Sequence, residues 1–214
     1  MPPRTRTETV YRFDELDDRA KERARDWWRN LEAQDFDIEY VIDDAQRMGA
    51  ILGIEFDTKP VKLMGGGTRY APVVYWSGFS SQGDGACFEG RYAYAKGAAK
   101  RIREEAPRDT ELHRIADALQ SAQRRAFYRL EARCRHRGHY YHSGWMSVDV
   151  SDAGDEYRAL PDGIEDEITD ALRGFADWIY RQMESEYEWR MSDEQVDDAI
   201  TANEYEFYAT GARA

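Results

Sequence analysis

The sequence is poor in the features that mark secreted, membrane-spanning and disulfide-bonded proteins. It has two cysteines, Cys87 and Cys134, in 214 residues, whereas a small secreted disulfide scaffold carries more. No apolar run approaches the roughly 20 residues that span a bilayer, and residues 1–10 lack the apolar core of a signal peptide. These absences predict a cytoplasmic protein whose two cysteines are small buried residues in strands.

Complete catalytic and metal-binding signatures are also missing. The chain has no HxxxH pattern on a helix, no CxxC and no GxSxG. Residues 65–67 are three consecutive glycines, but no GK[ST] ending and no helix follow them, so they do not form a phosphate loop. We therefore expect no metal and no cofactor, and the sequence favours a binding protein over an enzyme.

The net charge of −12 is unevenly distributed along the chain. Residues 151–214 contain 18 acidic residues and five Lys or Arg, whereas residues 1–150 contain 24 and 25. An acidic region repels phosphate backbones, so direct nucleic-acid binding is not expected. The simplest interpretation is a solvated helix face. The alternatives are mimicry of nucleic acid and the binding of a basic protein partner.

Hydrophobic periodicity predicts an α+β fold with five or six helices and five to seven short strands. Consecutive strands are joined as hairpins, which favours a mainly antiparallel sheet with helices packed against it. We expect a single domain over 1–214, with 1–9 disordered and 151–214 an acidic helical region. Asp14 is the predicted N-cap of the first helix. The predicted helices are 15–31, 38–52, 95–105, 110–122, 164–183 and one from 192; the predicted strands are 11–13, 54–64, 73–76, 86–94, 127–137, 140–150 and 204–208. We expect the last strand, 204–208, to lie beside the first, 11–13.

The most unusual stretch is the glycine-rich hairpin Ser77–Gly90. Its first nine residues contain three glycines and three serines, which lets the backbone approach a ligand closely. The connection is longer than the two to five residues that are typical of hairpins. The predicted ligand-binding side chains are Ser80, Ser81, Gln82 and Asp84. The alternative is a wide loop whose Ser and Asp side chains bond their own backbone.

Three of the four histidines, His136, His139 and His142, fall within seven residues around Gly138. We assign them to the same ligand site, with strand histidines bonded to solvent or backbone as the alternative. If the two hairpins are neighbours in one sheet, Gln82 and Asp84 meet His139 or His142. These four residues are then the candidate catalytic residues of a hydrolase or nucleotide-modifying enzyme.

A third candidate surface is the aromatic and acidic region near the C-terminus. Exposed aromatic side chains beside acidic ones form interaction surfaces. The predicted partner-binding residues are Trp178, Tyr187 and Trp189. The alternative is that these aromatic side chains wrap the sheet.

Arginines alternate along the predicted strand 127–137. Period-two spacing places Arg129, Arg133, Arg135 and Arg137 on one face. Pairing with the acidic C-terminal helix is favoured over the binding of an anionic ligand.

Five segments of the chain are similar to known sequences: YRFDELDDRAKERARDWW, SGFSSQGDGACFEG, DTELHRIADALQ, HRGHYYHS and ANEYEF. They resemble a family of phage and prophage proteins that are labelled "antitoxin of toxin–antitoxin stability system". The resemblance covers nearly the whole chain and implies an accessory role that counters a bacterial defence or toxin system; it supplies no catalytic residues. The leading hypothesis is a protein that neutralises a host protein by binding it, or that sequesters a small signalling ligand. An oligomeric scaffold is a further alternative.

Overall fold

The computed structural model describes residues 7–34, 36–155 and 158–214. Within these residues it has an α+β fold of six α-helices and antiparallel sheets of short strands, as the periodicity predicts. In chain order the elements are β1 (Tyr11–Arg12), α1 (Asp18–Glu32), α2 (Glu39–Leu52), β2 (Ile54–Phe56), β3 (Thr58–Lys62), β4 (Thr68–Pro72), β5 (Val74–Trp76), β6 (Ala86–Phe88), β7 (Gly90–Ala93), α3 (Ala98–Glu105), α4 (Thr110–Arg125), β8 (Leu130–His136), β9 (Met146–Asp152), α5 (Ile164–Met191), α6 (Asp193–Ala202) and β10 (Glu206–Phe207).

The chain divides into two compact units, where the sequence predicted one domain. The terminal unit combines the residues up to 37 with 184–214, and the central unit comprises 38–183. Sequence order hides this division because the terminal unit is built from the two ends of the chain. Of the stretch predicted to be disordered, 1–6 lie outside the described residues and 7–9 have no regular secondary structure.

The terminal unit is held by an apolar core between α1 and α6. Strands β1 and β10 pair antiparallel through Tyr11–Phe207 and Arg12–Glu206, which confirms the predicted pairing of 11–13 with 204–208. An ion pair joins the helices, because the Arg25 guanidinium donates to both Asp197 oxygens at 2.7 Å. The buried side chains are those of Phe13, Leu16, Ala20, Ala24, Val196, Ile200 and Phe207.

The first helix begins later than the sequence predicted. Residues 13–15 form a short 3-10 turn, in which Glu15 accepts a hydrogen bond from the Arg12 backbone amide at 2.8 Å. Asp17, not Asp14, is the N-cap of α1 and accepts from the Ala20 amide at 2.8 Å. Several acidic residues can occupy a helix start, and the one that meets a free amide becomes the cap.

The central unit is built on a four-stranded antiparallel sheet in the order β2-β7-β8-β9. One face of this sheet is buried and carries Ile54, Phe56, Tyr92, Ala132 and Cys134. Aromatic rings extend the core toward α5, with the Phe56 and Phe88 centroids 5.1 Å apart and the Phe88 and Phe175 centroids 5.9 Å apart.

Two predicted strands, 54–64 and 86–94, are each divided at one residue. Asp57 separates β2 from β3, and Glu89 separates β6 from β7. The two breaks are bonded to each other, because the Asp57 amide donates to Glu89 O at 2.8 Å and the Val73 amide donates to Asp57 O at 2.7 Å. At this junction the chain leaves the four-stranded sheet and enters two separate hairpins, β3–β4 and β5–β6.

The cysteines agree with the sequence analysis. Cys87 in β6 and Cys134 in β8 are both free and buried. Burial raises the pKa of each thiol to about 12, so neither is a thiolate at neutral pH and neither suits a nucleophilic role. Among the helices of the described residues, none is long and apolar enough to cross a bilayer.

The end of α4 carries backbone strain at two aromatic residues. Phe127 and Tyr128 have φ values of 54° and 62°, in the left-handed region where glycine usually ends a helix. The Tyr128 amide closes the helix end by donating to Gln123 O at 2.7 Å. The Tyr128 ring packs at a tilt against Tyr94 with centroids 4.6 Å apart, whereas the Phe127 ring is 77% exposed and gains little from burial.

We therefore expect Phe127→Gly to stabilise the protein. Glycine adopts positive φ without the steric cost of about 1 kcal/mol that a side chain adds, so the free energy of unfolding in urea should rise by about that amount. Tyr128→Gly is the matched control and should give no gain, because it also removes the ring contact with Tyr94. A loss of stability in Phe127→Gly would show that the exposed ring packs in solution.

Candidate functional site

Two loops of the central unit meet at one end of the strands. We call residues 77–85, between β5 and β6, the glycine loop, and residues 137–145, between β8 and β9, the histidine loop. An added Cβ at Gly83 would lie 2.7 Å from the Tyr140 ring, and one at Gly85 would lie 2.5 Å from the His142 Cα. Side chains are therefore absent at the positions where the loops touch. The two hairpins are neighbours, but they do not share one sheet, which the sequence analysis had assumed: β5 and β6 form a two-stranded sheet, and β8 and β9 belong to the four-stranded one.

The glycine loop is ordered by the Asp84 carboxylate. Its Oδ2 accepts hydrogen bonds from the backbone amides of Ser80 and Ser81, at 2.9 and 2.6 Å. Hydrogen bonds from the Ser81 and Ser80 amides lower the pKa of Asp84, since they favour the charged form. The loop is closed by the Ser77 amide, which donates to Gly85 O at 3.1 Å. Asp84 thus has the role that the sequence analysis gave as the alternative to ligand binding.

Aromatic side chains attach the glycine loop to α5. The Phe79 ring lies between Trp76 and Tyr180, with centroid distances of 5.5 and 5.7 Å. The Tyr180 hydroxyl donates to Gly78 O at 2.8 Å. The loop is therefore held from inside by its own aspartate and from outside by a helix.

The histidine loop is likewise closed by backbone contacts. His136 Nε2 donates to Tyr140 O at 3.0 Å, and His142 Nδ1 accepts from the Gly144 amide at 3.1 Å. The Arg137 amide donates to Trp145 O at 2.9 Å. Gly138 has φ of +111°, and an added Cβ there would lie 2.2 Å from the Trp145 ring. Two of the three predicted ligand histidines therefore shape the loop.

Two groups of aromatic rings lie at the loops: one group is packed together, and the other is exposed to solvent. Tyr75, His136 and Tyr141 form a triangle with centroid distances of 5.0, 5.2 and 5.5 Å. Tyr140 and Trp145 lie side by side at 5.7 Å and are 54% and 40% exposed. We call this exposed pair with the two loops the loop surface.

The catalytic arrangement predicted from the sequence does not form. Within the described residues, no hydrogen bond joins Gln82 or Asp84 to His139 or His142. Three or more metal-ligating side chains do not converge anywhere in the part of the chain that the structure describes. The Asp84 carboxylate accepts from the Ser80 and Ser81 amides through Oδ2 and has no histidine donor among the described residues, so it does not orient an imidazole in this arrangement.

The predicted partner-binding aromatic residues have different environments. Trp178 is only 5% exposed and donates from Nε1 to Asp109 Oδ2 at 2.7 Å, so its assignment to a partner surface is wrong. Tyr187 is half-buried and packs edge-on against Phe36 at 5.3 Å. Trp189 is 54% exposed and remains a candidate. One stretch of helix thus contains both core and surface aromatic residues.

The arginines of β8 lie on the open face of the four-stranded sheet. A row across this face runs Glu55, Arg91, Arg133 and Asp149 in register, and a depression of 840 Å³ covers it. Arg133 binds both Asp57 oxygens, one at 3.0 Å, and Arg135 binds Asp149 at 2.8 Å.

We expected the strand arginines to pair with the acidic C-terminal helix. An arginine of α4 makes that pairing instead. Arg125 contacts Glu167 of α5 at 2.6 Å. Arg135 instead pairs with Asp149 of the neighbouring strand β9, as short cross-strand distances favour, and Arg133 pairs with Asp57, the residue between β2 and β3. Because these guanidinium groups are already paired, the open face is a poor site for an anionic ligand.

Comparison with known proteins places the chain in a family. The model of a family described as Domain of unknown function (DUF8835) matches residues 38–193. The chain belongs to this family. The DUF8835 match includes both loops of the loop surface. No curated protein and no solved structure matches the chain.

Tyr140 and Trp145 are exposed rings of the loop surface that were not predicted from the sequence. Tyr140 lies between His139 and His142, and Trp145 follows His142 by three residues. A signal was present, since a loop between two strands with several aromatic residues cannot bury all of them. The close approach of Gly83 and Gly85 to this loop could not be found from the sequence, because it depends on how two distant hairpins pack.

Proposed function

We propose that this protein is a phage-type accessory protein that binds and neutralises a protein component of a host defence or toxin system, and that the loop surface is its binding site. The observation that carries the proposal is the exposed pair Tyr140 and Trp145 on a backbone that is closed by its own hydrogen bonds. Tyr and Trp dominate interface hot spots. A rigid loop loses little conformational entropy on binding.

The same contacts weigh against the enzyme alternative. His136, His142 and Asp84 are bonded to backbone groups that order the loops, and a general base needs its acceptor directed at substrate. The phage context rests on the sequence resemblance, and the binding role rests on the loop geometry. Sequestration of a small ligand has no specific contact in its favour.

The test is recovery of a partner from bacterial host lysate, followed by titration of the purified partner against variants. We expect Trp145→Ala and Tyr140→Ala each to weaken binding at least about thirtyfold, which corresponds to about 2 kcal/mol. Trp189→Ala is the matched control, because it removes an exposed tryptophan of the terminal unit. Thermal melts of all variants report whether the fold is intact.

Two outcomes would count against this assignment. A loss of binding in Trp189→Ala, with Trp145→Ala unaffected, would move the binding site to the acidic C-terminal region. The absence of any stoichiometric partner at micromolar concentrations would remove the protein-binding function itself.

A further inference from the structure

The β3–β4 hairpin is a basic arm with an apolar tip. We call residues 58–72 the arm; they contain Lys59, Lys62 and Arg69 and no acidic residue, in a chain with net charge −12. The two strands pair over five residues from Thr58–Pro72 to Lys62–Thr68, which corresponds to a length of about 17 Å. The arm forms its own two-stranded sheet.

The tip of the arm is exposed and apolar. Met64 is fully exposed and Leu63 is 49% exposed. An added Cβ at Gly65, Gly66 or Gly67 would meet no described atom within 4 Å. Large apolar side chains at the end of a projecting hairpin are typical of binding elements that fill a pocket on a partner.

A groove with apolar and charged lining lies at the base of the same arm. Its volume is 260 Å³, and it runs between α2 and the strands β4 and β5. Ile42, Tyr70 and Val74 provide apolar lining; Glu39 and Asp43 are acidic, and Lys59 and Arg69 are basic. Arg69 bridges the groove by binding both oxygens of Glu39, one at 2.9 Å.

Two charges of the arm and groove have no partner among the described residues. Lys59 lies over the Tyr75 ring at 5.3 Å and Arg69 is bound to Glu39. Lys62, next to the tip, and Asp43, on the groove, are exposed and form no ion pair within the described parts of the chain. The free positive charge therefore belongs to the tip, and the free negative charge belongs to the groove.

We propose that two copies of this chain form a two-fold dimer by exchanging arms. When two arms lie side by side in opposite directions, each tip reaches the base of the other arm, where the groove lies. Leu63 and Met64 then enter the partner copy's groove, and Lys62 of each copy pairs with Asp43 of the other. A two-fold axis repeats this contact, so each substitution acts twice. The proposal is independent of the loop surface and of any host protein.

Sedimentation velocity over micromolar concentrations tests the exchange. The wild-type protein should sediment with twice the monomer mass. Met64→Asp should give a monomer, because a charged carboxylate would replace the apolar side chain that packs against Ile42, Tyr70 and Val74. Lys62→Asp and Asp43→Lys should each weaken the dimer about tenfold, since each reversal places like charges together at two sites.

The double variant with Lys62→Asp and Asp43→Lys separates a direct pair from a general charge effect. It should restore the wild-type dimer to within about threefold, because the pair is re-formed with reversed signs. Lys96→Asp is the matched control: it makes the same charge change at an exposed lysine outside the arm and should leave the dimer unchanged.

The proposal is overturned if the wild-type protein is a monomer throughout, or if the double variant is no better than the two single variants. All substituted side chains are exposed, so unchanged melting temperatures should accompany each result. The dimer is also ruled out if the protein is a monomer whose Met64 contacts a different acidic protein, because that protein would then take the place of the second copy.

Discussion

The substitution Gly85→Ala is expected to abolish binding through the loop surface and to leave the helices folded. The added methyl group would lie 2.5 Å from His142 Cα, and a backbone atom cannot rotate away as a side chain can. The glycine and histidine loops must therefore separate. Overpacking of this kind costs about 1–3 kcal/mol. Partner titration and thermal melts measure the two effects.

Hydrogen exchange gives a reading of this change that needs no partner. If the loops separate, the amide hydrogens of Ser80, Ser81 and Gly144 should exchange faster, since these amides are hydrogen-bonded inside the loops. A graded series provides the control. Gly83→Ala meets only the Tyr140 ring and should have a smaller effect, and Gly65→Ala meets nothing and should have none. Equal effects at positions 83 and 85 would show that the loops are not packed as described.

Leucine at position 123 is expected to cause the largest loss of stability. Gln123 is fully buried in α4. Its Nε2 donates to Leu130 O at 2.8 Å and to the Tyr92 hydroxyl at 3.2 Å, and its Oε1 accepts from the Leu130 amide at 3.1 Å. Gln123→Leu would leave two buried backbone groups of β8 unsatisfied. We expect the free energy of unfolding to fall by about 2–4 kcal/mol.

Gln120→Leu is the matched control for this change. In the wild-type protein Gln120 lies on the same helix, is half-buried and forms no side-chain hydrogen bond among the described residues. Its free energy of unfolding in urea should change by less than about 0.5 kcal/mol. Similar losses at both positions would mean that the glutamine clamp between α4 and β8 contributes little.

Local chemistry accounts for the parts of the fold that the sequence predicted. Gly53 ends α2 with φ of 91°, as expected where a glycine follows an apolar helical pattern. Ser192 caps α6 by accepting from the Gln195 amide. These features depend on residues within one or two helical turns, so the sequence carries enough information to predict them.

Predictions failed where two distant segments compete for the same group. Asp84 was expected to meet a histidine of the other hairpin. It accepts hydrogen bonds from the amides of Ser80 and Ser81 instead, because these lie nearer in the chain. Trp178 has the side chain of an interface residue, and Asp109, the N-cap of α4, accepts its indole N–H inside the unit. A pattern identifies what a side chain can do, whereas its partner depends on packing.

By itself the sequence determined the α+β class, the approximate positions of the helices and the burial of both cysteines, because periodicity, caps and strand composition are local. Only the tertiary structure decided that the chain forms two units, that strands break at Asp57 and Glu89, and that Gly83 and Gly85 let two loops touch. Those features depend on distances between residues far apart in the chain. The loop surface is of this kind, since its exposed pair Tyr140 and Trp145 depends on which other rings the fold buries.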